Sequence, residues 1–194
     1  SEDGIAAIIV EPYPANCGLI LPDDGYLEGL RKICDHNQAV LIFDEVMTGF
    51  RLARGGAAEV FKVTPDLVCF GKVIGGGLPV GAFAGRAEIM SHLAPSGPVY
   101  QAGTLSGNPI AMTAGLATLD IISKEGFYEP VFERTRELTE GLQSAADSAG
   151  VPFTTNHAGT MFGGFFTDAD SVTNYEQVMA CDTEAFNRFF HVML

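Results

Sequence analysis

The stretch Asp24-GYLEGLRKICDHNQAVLI-Phe43 decides how this chain folds. Leu27, Leu30, Ile33 and Cys34 recur at helical spacing, which predicts a helix with one apolar face over Asp24–His36. Ala39–Phe43 then follows as a short unbroken apolar run, the pattern of a strand buried on both faces of a parallel sheet. Upstream, Ile5–Val10 has the same texture, so the three segments make a strand–helix–strand unit and point to an α/β sheet. Leu67–Phe70 reads as a further buried strand, and Val80–Ala84 as another.

Beyond Asn108 the texture changes. Pro109 suits a first helical turn and Ile110–Ser123 is an Ala-rich run, so a long helix is expected. A second helix over Phe132–Ala149 should stop at Gly150, followed by strand-like Pro152–Thr155 and Thr160–Phe166 and a helical pattern over Glu184–Leu194. A domain boundary is expected inside the first of these helices. It gives most of a large α/β domain over residues 1–120 and part of a small C-terminal α+β domain over 121–194. Because the chain opens almost directly in a strand and stops within a helical pattern, it reads as a fragment.

Composition narrows the partners. Eleven basic residues against 24 acidic ones give a formal charge of -13, the wrong sign for a phosphate backbone, so no nucleic acid is expected. No apolar run approaches the roughly 20 residues of a membrane helix, so no membrane span is expected. Cys17, Cys34, Cys69 and Cys181 are scattered with no C-x-x-C pair, and His36, His92, His157 and His191 are equally dispersed. We expect no metal site, and reduced thiols in a cytoplasmic setting.

In an open α/β sheet, ligands bind at the carboxyl ends of the strands. Asp44 and Glu45 stand at that end of Ala39–Phe43, and Lys72 follows Leu67–Phe70 by one glycine. Taken alone, such a pair reads as a surface salt bridge beside a Gly-rich turn. The run Gly71-KVIGGGLPV-Gly81 adds two features. Its consecutive glycines permit positive φ and close backbone approach, and its apolar residues are expected to desolvate the Lys72 ammonium and lower its pKa toward a usable nucleophile. It is not a phosphate-binding P-loop, which would need a glycine at Asp66 and a hydroxyl residue at Val73.

Leu41-IFDEVMTGF-Arg51, then Pro65-Asp66-Leu67 and Gly71-KVIGGGLPVG-Ala82, resemble in order and spacing the class III (fold type I) pyridoxal-phosphate aminotransferases. Within that group, Val99-YQAGTLSGN-Pro109, Asn156–Asp168 and Met179–Asp182 are similar to the glutamate-1-semialdehyde aminomutase branch. The resemblance implies a large domain with a mostly parallel sheet flanked by helices, and pyridoxal or pyridoxamine phosphate as cofactor. It implies Lys72 as the Schiff-base lysine and Asp44 as the carboxylate against the pyridine nitrogen. Glu45 should point away from the ring, on the other face of an extended strand. By the same resemblance Asn16 would hydrogen-bond the phenolic oxygen, and Thr104 would bind the phosphate held by a neighbouring subunit, making a homodimer with its active site at the subunit interface. Taken alone, Asn16 reads as a loop asparagine and Gly103-Thr104 as the turn that starts a helix.

Met47 stands where most class III aminotransferases have Gln. Its thioether cannot donate to the cofactor oxygen, so Asn16 is expected to act there, as in the aminomutase branch. The implied substrate is glutamate-1-semialdehyde, (S)-4-amino-5-oxopentanoate, and the product 5-aminolevulinate, a tetrapyrrole precursor. The phosphate-binding turn and the ring-stacking aromatic of the family would lie before Ser1. A class III transaminase with a separate keto-acid acceptor, a racemase or epimerase, and a non-catalytic paralogue are the rival readings.

Overall fold

The structure, a computed structural model, describes residues 4–194. Contacts divide the chain into two compact units: one of residues up to Pro12 together with Asp23–Phe127, the other of Tyr13–Pro22 together with Tyr128–Leu194. The division falls after Phe127, beyond the long helix rather than within it, and a short early segment joins the second unit.

The first unit is built on a four-stranded sheet in the order β1-β2-β3-β4: β1 (Ala7–Val10), β2 (Val40–Glu45), β3 (Leu67–Phe70) and β4 (Ala82–Gly85). β1 pairs with β2 and β2 with β3 in parallel, in a register that sets Asp44 opposite Cys69 and Glu45 opposite Phe70. β4 returns antiparallel along β3, so the sheet is mostly parallel. Helix α1 (Tyr26–Asn37) connects β1 to β2 and ends at Gln38 in a left-handed conformation. Its Leu27 and Cys34 are buried against Ala39, Leu41, Phe43 and Val63, which together form the core.

Two expectations need correction. Ile33, read as part of the apolar stripe of α1, is half exposed, because the buried face is carried by Leu27 and Cys34. The strands are not buried on both faces: β2 alternates, with Leu41, Phe43 and Glu45 buried and Val40, Ile42 and Asp44 half-buried, while Ile9 of β1 is 63% exposed. Within this unit the core of α1 covers one face only.

Asp66, buried just before β3, fixes the strand spacing on that covered side. Its carboxylate accepts from the Leu41 amide at 2.8 Å and from the guanidiniums of Arg31 at 2.8 Å and Arg86 at 3.0 Å. Burial alone would raise its pKa, but the Leu41 amide and the two arginines outweigh that and hold it below the ordinary value.

Between β2 and β3 lies the short helix α2 (Gly56–Phe61), and α3 (Ala87–Met90) follows β4. The long α4 (Pro109–Ile122) starts on Asn108, whose side chain accepts from the amides of Ile110 and Ala111.

In the second unit, α5 (Tyr128–Ala149) leads to an antiparallel hairpin of β5 (Thr154–Ala158) and β6 (Met161–Phe165), then to α6 (Tyr175–Met179) and α7 (Thr183–Met193). The Tyr13–Pro22 segment belongs here because the hairpin grips it. Asn156 Nδ2 donates to the carbonyls of Leu19 and Val172, and a Cβ on Gly163 would collide with the Gly18 carbonyl. Among the described residues no helix is long and apolar enough to cross a membrane.

Candidate active site

The parallel pairing of β2 and β3 brings the ends of two neighbouring strands to one rim, and each end carries a residue of the expected site. Asp44 is the half-buried penultimate residue of β2. Its Oδ1 accepts from the Val46 amide at 3.0 Å, two residues on, so the turn that leaves the strand orients the carboxylate. Cys69, its cross-strand neighbour, has a thiol pushed up by burial and then by the Asp44 charge.

Lys72 stands one residue past β3, separated from it by Gly71, at the start of a single 3₁₀ turn over Lys72–Gly75. Its φ of 47° lies in the left-handed region, where a side chain with a Cβ is uncommon and the conformation must be held by its surroundings. Helix α4 is the holder. A Cβ on Gly115 would come to 2.4 Å of the Ile74 carbonyl oxygen, and one on Gly76 to 2.4 Å of the Ala114 carbonyl oxygen. The two backbones therefore meet where only glycine fits.

The expected desolvation of Lys72 is not supplied by this chain. The lysine is exposed at the first residue of the 3₁₀ turn. It opens into a cleft of about 640 Å³ lined with Arg51, Val73, Gly77, Leu78, Pro79 and Val80. Asp44 stands at the neighbouring strand end but does not line that cleft.

Met47 sits in the turn directly after β2, and its carbonyl accepts from Arg51 Nε at 2.9 Å. Thr104 lies, exposed, in the turn that leads into α4, beside a largely apolar cavity of about 590 Å³ between that turn, α4 and Pro79–Ala82. Asn16 is exposed in the second unit and lines a cavity of about 280 Å³ there with Cys17, Phe165 and Cys181. Among the described residues no group of three or more His, Cys, Asp or Glu is placed to hold a metal.

Two residues of the rim escaped the sequence reading as part of the site. Arg51 shares the Lys72 cleft, and its signal is an arginine closing the turn straight after a strand that ends in a carboxylate. Glu45 was expected only to point away from Asp44. It does lie on the other face, but it is 1% exposed and is not an inert neighbour. Its carboxylate accepts from the Ala57 amide at 2.6 Å, the Ala58 amide at 3.1 Å and the Thr48 hydroxyl at 3.0 Å. A pyridine-type cofactor fits the rim chemically: an exposed amine, a carboxylate one strand away with an oxygen that takes no hydrogen bond among the described residues, and a cleft within the usual size of small-ligand sites.

Known proteins share the fold. The family model "Aminotransferase class-III" matches residues 1–187. A solved ω-transaminase from Sphaerobacter thermophilus is 34% identical, with a TM-score of 0.82 over 89% of this chain and 39% of its own. A β-phenylalanine aminotransferase from Variovorax paradoxus is 35% identical, with a TM-score of 0.83 over 92% of this chain and 41% of its own. A glutamate-1-semialdehyde aminomutase from Pseudomonas aeruginosa PAO1 has the same fold, at 23% identity and a TM-score of 0.76 over 91% of this chain and 41% of its own. The chain thus spans about two-fifths of the length of the structures it matches.

Proposed function

The chain belongs to the class-III aminotransferase family, and from that premise we propose that it carries the lysine-bearing rim of a pyridoxal-phosphate enzyme that moves an amino group. The observation that carries this reading is the placement of Lys72 and Asp44 at the ends of adjacent parallel strands, with the lysine open to a cleft. The cofactor, when bound, supplies an electron sink for charge that develops at the substrate carbon. Lys72 Nζ would hold the cofactor and, once released, carry a proton to and from that carbon. Asp44 would keep the pyridine nitrogen protonated. By resemblance Asn16 would hydrogen-bond the phenolic oxygen, and Thr104 would bind the phosphate of a neighbouring subunit in a homodimer.

For the substrate we propose glutamate-1-semialdehyde, rearranged to 5-aminolevulinate with the pyridoxamine form of the cofactor. Met47 supports this choice, because its thioether has no donor to offer the cofactor oxygen. The run Val99–Pro109 supports it by resemblance. A second reading, a transaminase with a separate keto-acid acceptor, is favoured by the 34% and 35% identities to the ω-transaminase and the β-phenylalanine aminotransferase. One assay separates them. Full-length protein given glutamate-1-semialdehyde and no keto acid should release 5-aminolevulinate over many turnovers. Turnover that begins only when a keto acid is added selects the transaminase.

A further inference from the structure

We propose that Glu45 is a positioning residue for Asp44, acting through the turn that both carboxylates share; the inference rests on the function proposed above. The two side chains leave β2 on opposite faces, so Glu45 has no part in binding the cofactor directly. It is nonetheless the most deeply buried acid of the chain's described residues and accepts three hydrogen bonds on its two oxygens. Two come from the amides of Ala57 and Ala58, the first turn of α2, which has no side-chain cap from its own N-cap residue, Gly55. Glu45 takes that role from across the loop. The fit is close: Gly56 has φ 64°, and a Cβ there would stand 2.1 Å from Glu45 Oε2.

The third bond, from Thr48, pins the turn from Val46 to Phe50, which is also closed by the Gly49 amide on the Glu45 carbonyl at 2.8 Å. On the opposite face that same turn gives Asp44 its orienting bond from the Val46 amide, and it anchors Arg51 of the Lys72 cleft through the Met47 carbonyl. A fixed path therefore runs from α2 through the Glu45 carboxylate and the turn to Asp44. Gln is nearly isosteric with Glu but turns one acceptor into a donor that faces donors. Glu45→Gln would leave a buried amide or hydroxyl unpaired and let the turn shift.

The test uses the full-length protein and pyridoxal phosphate labelled with ¹⁵N in its ring. It reads the cofactor Kd and the nitrogen shift that reports ring protonation. Leu27→Ala, in the α1 core, serves as the control for lost stability alone. Both Glu45→Gln and Leu27→Ala should lower the unfolding midpoint. Only Glu45→Gln should weaken cofactor binding, by about tenfold on the scale of one lost hydrogen bond to a charged group, and move the nitrogen toward the Asp44→Asn signal. Should Glu45→Gln not fold, Thr48→Val is read in the same way. A folded variant of either kind with the parent's Kd and nitrogen shift would overturn the inference. If Asp44→Asn itself leaves the nitrogen protonated, the wrong carboxylate has been chosen and both readings fall. If Asp44→Asn loses the proton while the Glu45 and Thr48 variants do not, only the positioning role falls.

Discussion

Asp44 and Glu45 are chemically alike and adjacent, and the period of an extended strand gives them different work. Asp44, half-buried, faces the rim with Lys72, whereas Glu45, buried, clamps a helix on the other side. Asp44→Asn keeps the shape and removes the charge. Breaking a buried ion pair costs about 3 to 5 kcal/mol, so turnover should fall by at least about a hundredfold while the fold survives. Steady-state kinetics beside an unchanged unfolding midpoint would check this. That Asp44 and Glu45 leave the strand on opposite faces was legible because period 2 follows from backbone geometry alone; that only one face is buried was not. The bonds of Glu45 were not, since they reach twelve and thirteen residues ahead to amides that carry no sequence signature. Nor was the exposure of Lys72, at the first residue of a 3₁₀ turn that the flanking apolar residues do not announce. Asp66 gives a pH prediction. Its folded pKa is depressed, so below the ordinary carboxylate range of about 3.9 the unfolded chain binds the proton more readily. The stabilisation it provides is then present above that value and lost as pH falls through the folded one. Asp66→Asn should cost about 3 kcal/mol at neutral pH, less whatever half-exposed Arg86 recovers from solvent. Urea midpoints of parent and variant should converge on acidification.

At the scale of elements, α4 and the Lys72 turn make a close backbone contact, and two neighbouring glycines separate its causes. Gly76 and Gly77 both have positive φ, but a Cβ on Gly76 meets the Ala114 carbonyl at 2.4 Å while one on Gly77 meets nothing within 4 Å. Gly77→Ala should therefore cost only the conformational term, about 1 kcal/mol, and Gly76→Ala about 2 to 4 kcal/mol with a displaced Lys72 turn. Thermal unfolding of the two variants measures the difference, and equal losses would contradict the contact. β1, α1, β2 and β3 were readable because apolar runs and helical spacing are local signals. Helix α2 was missed for a physical reason: it is six residues long and its cap comes from Glu45 rather than from a preceding Ser, Thr, Asp or Asn. The antiparallel direction of β4 was equally hidden, being fixed by pairing with β3 rather than by composition.

On the scale of the molecule, the first unit leaves Tyr100 83% exposed, together with Leu105, Ile110 and Leu116, around the turn that holds Thr104. If Thr104 serves a neighbouring subunit, these residues lie in a two-fold interface, and sedimentation should find a homodimer whose activity falls on dilution. An active monomer would remove Thr104 from the site. The membership of Tyr13–Pro22 in the second unit had no local signal, since it rests on contacts such as Asn156 with Leu19, 137 residues apart. The central claim is that Lys72 is the residue that holds the cofactor. Besides Lys72 the sequence has Lys32, Lys62 and Lys124, and one measurement tells them apart. Full-length protein loaded with pyridoxal phosphate is reduced with borohydride, digested, and the cofactor-bearing peptide sequenced by mass spectrometry. The account predicts a single modified peptide spanning Gly71–Gly77 with the label on Lys72; a label on any other lysine, or Lys72→Ala retaining a borohydride-fixed cofactor at the parent's level, would contradict it.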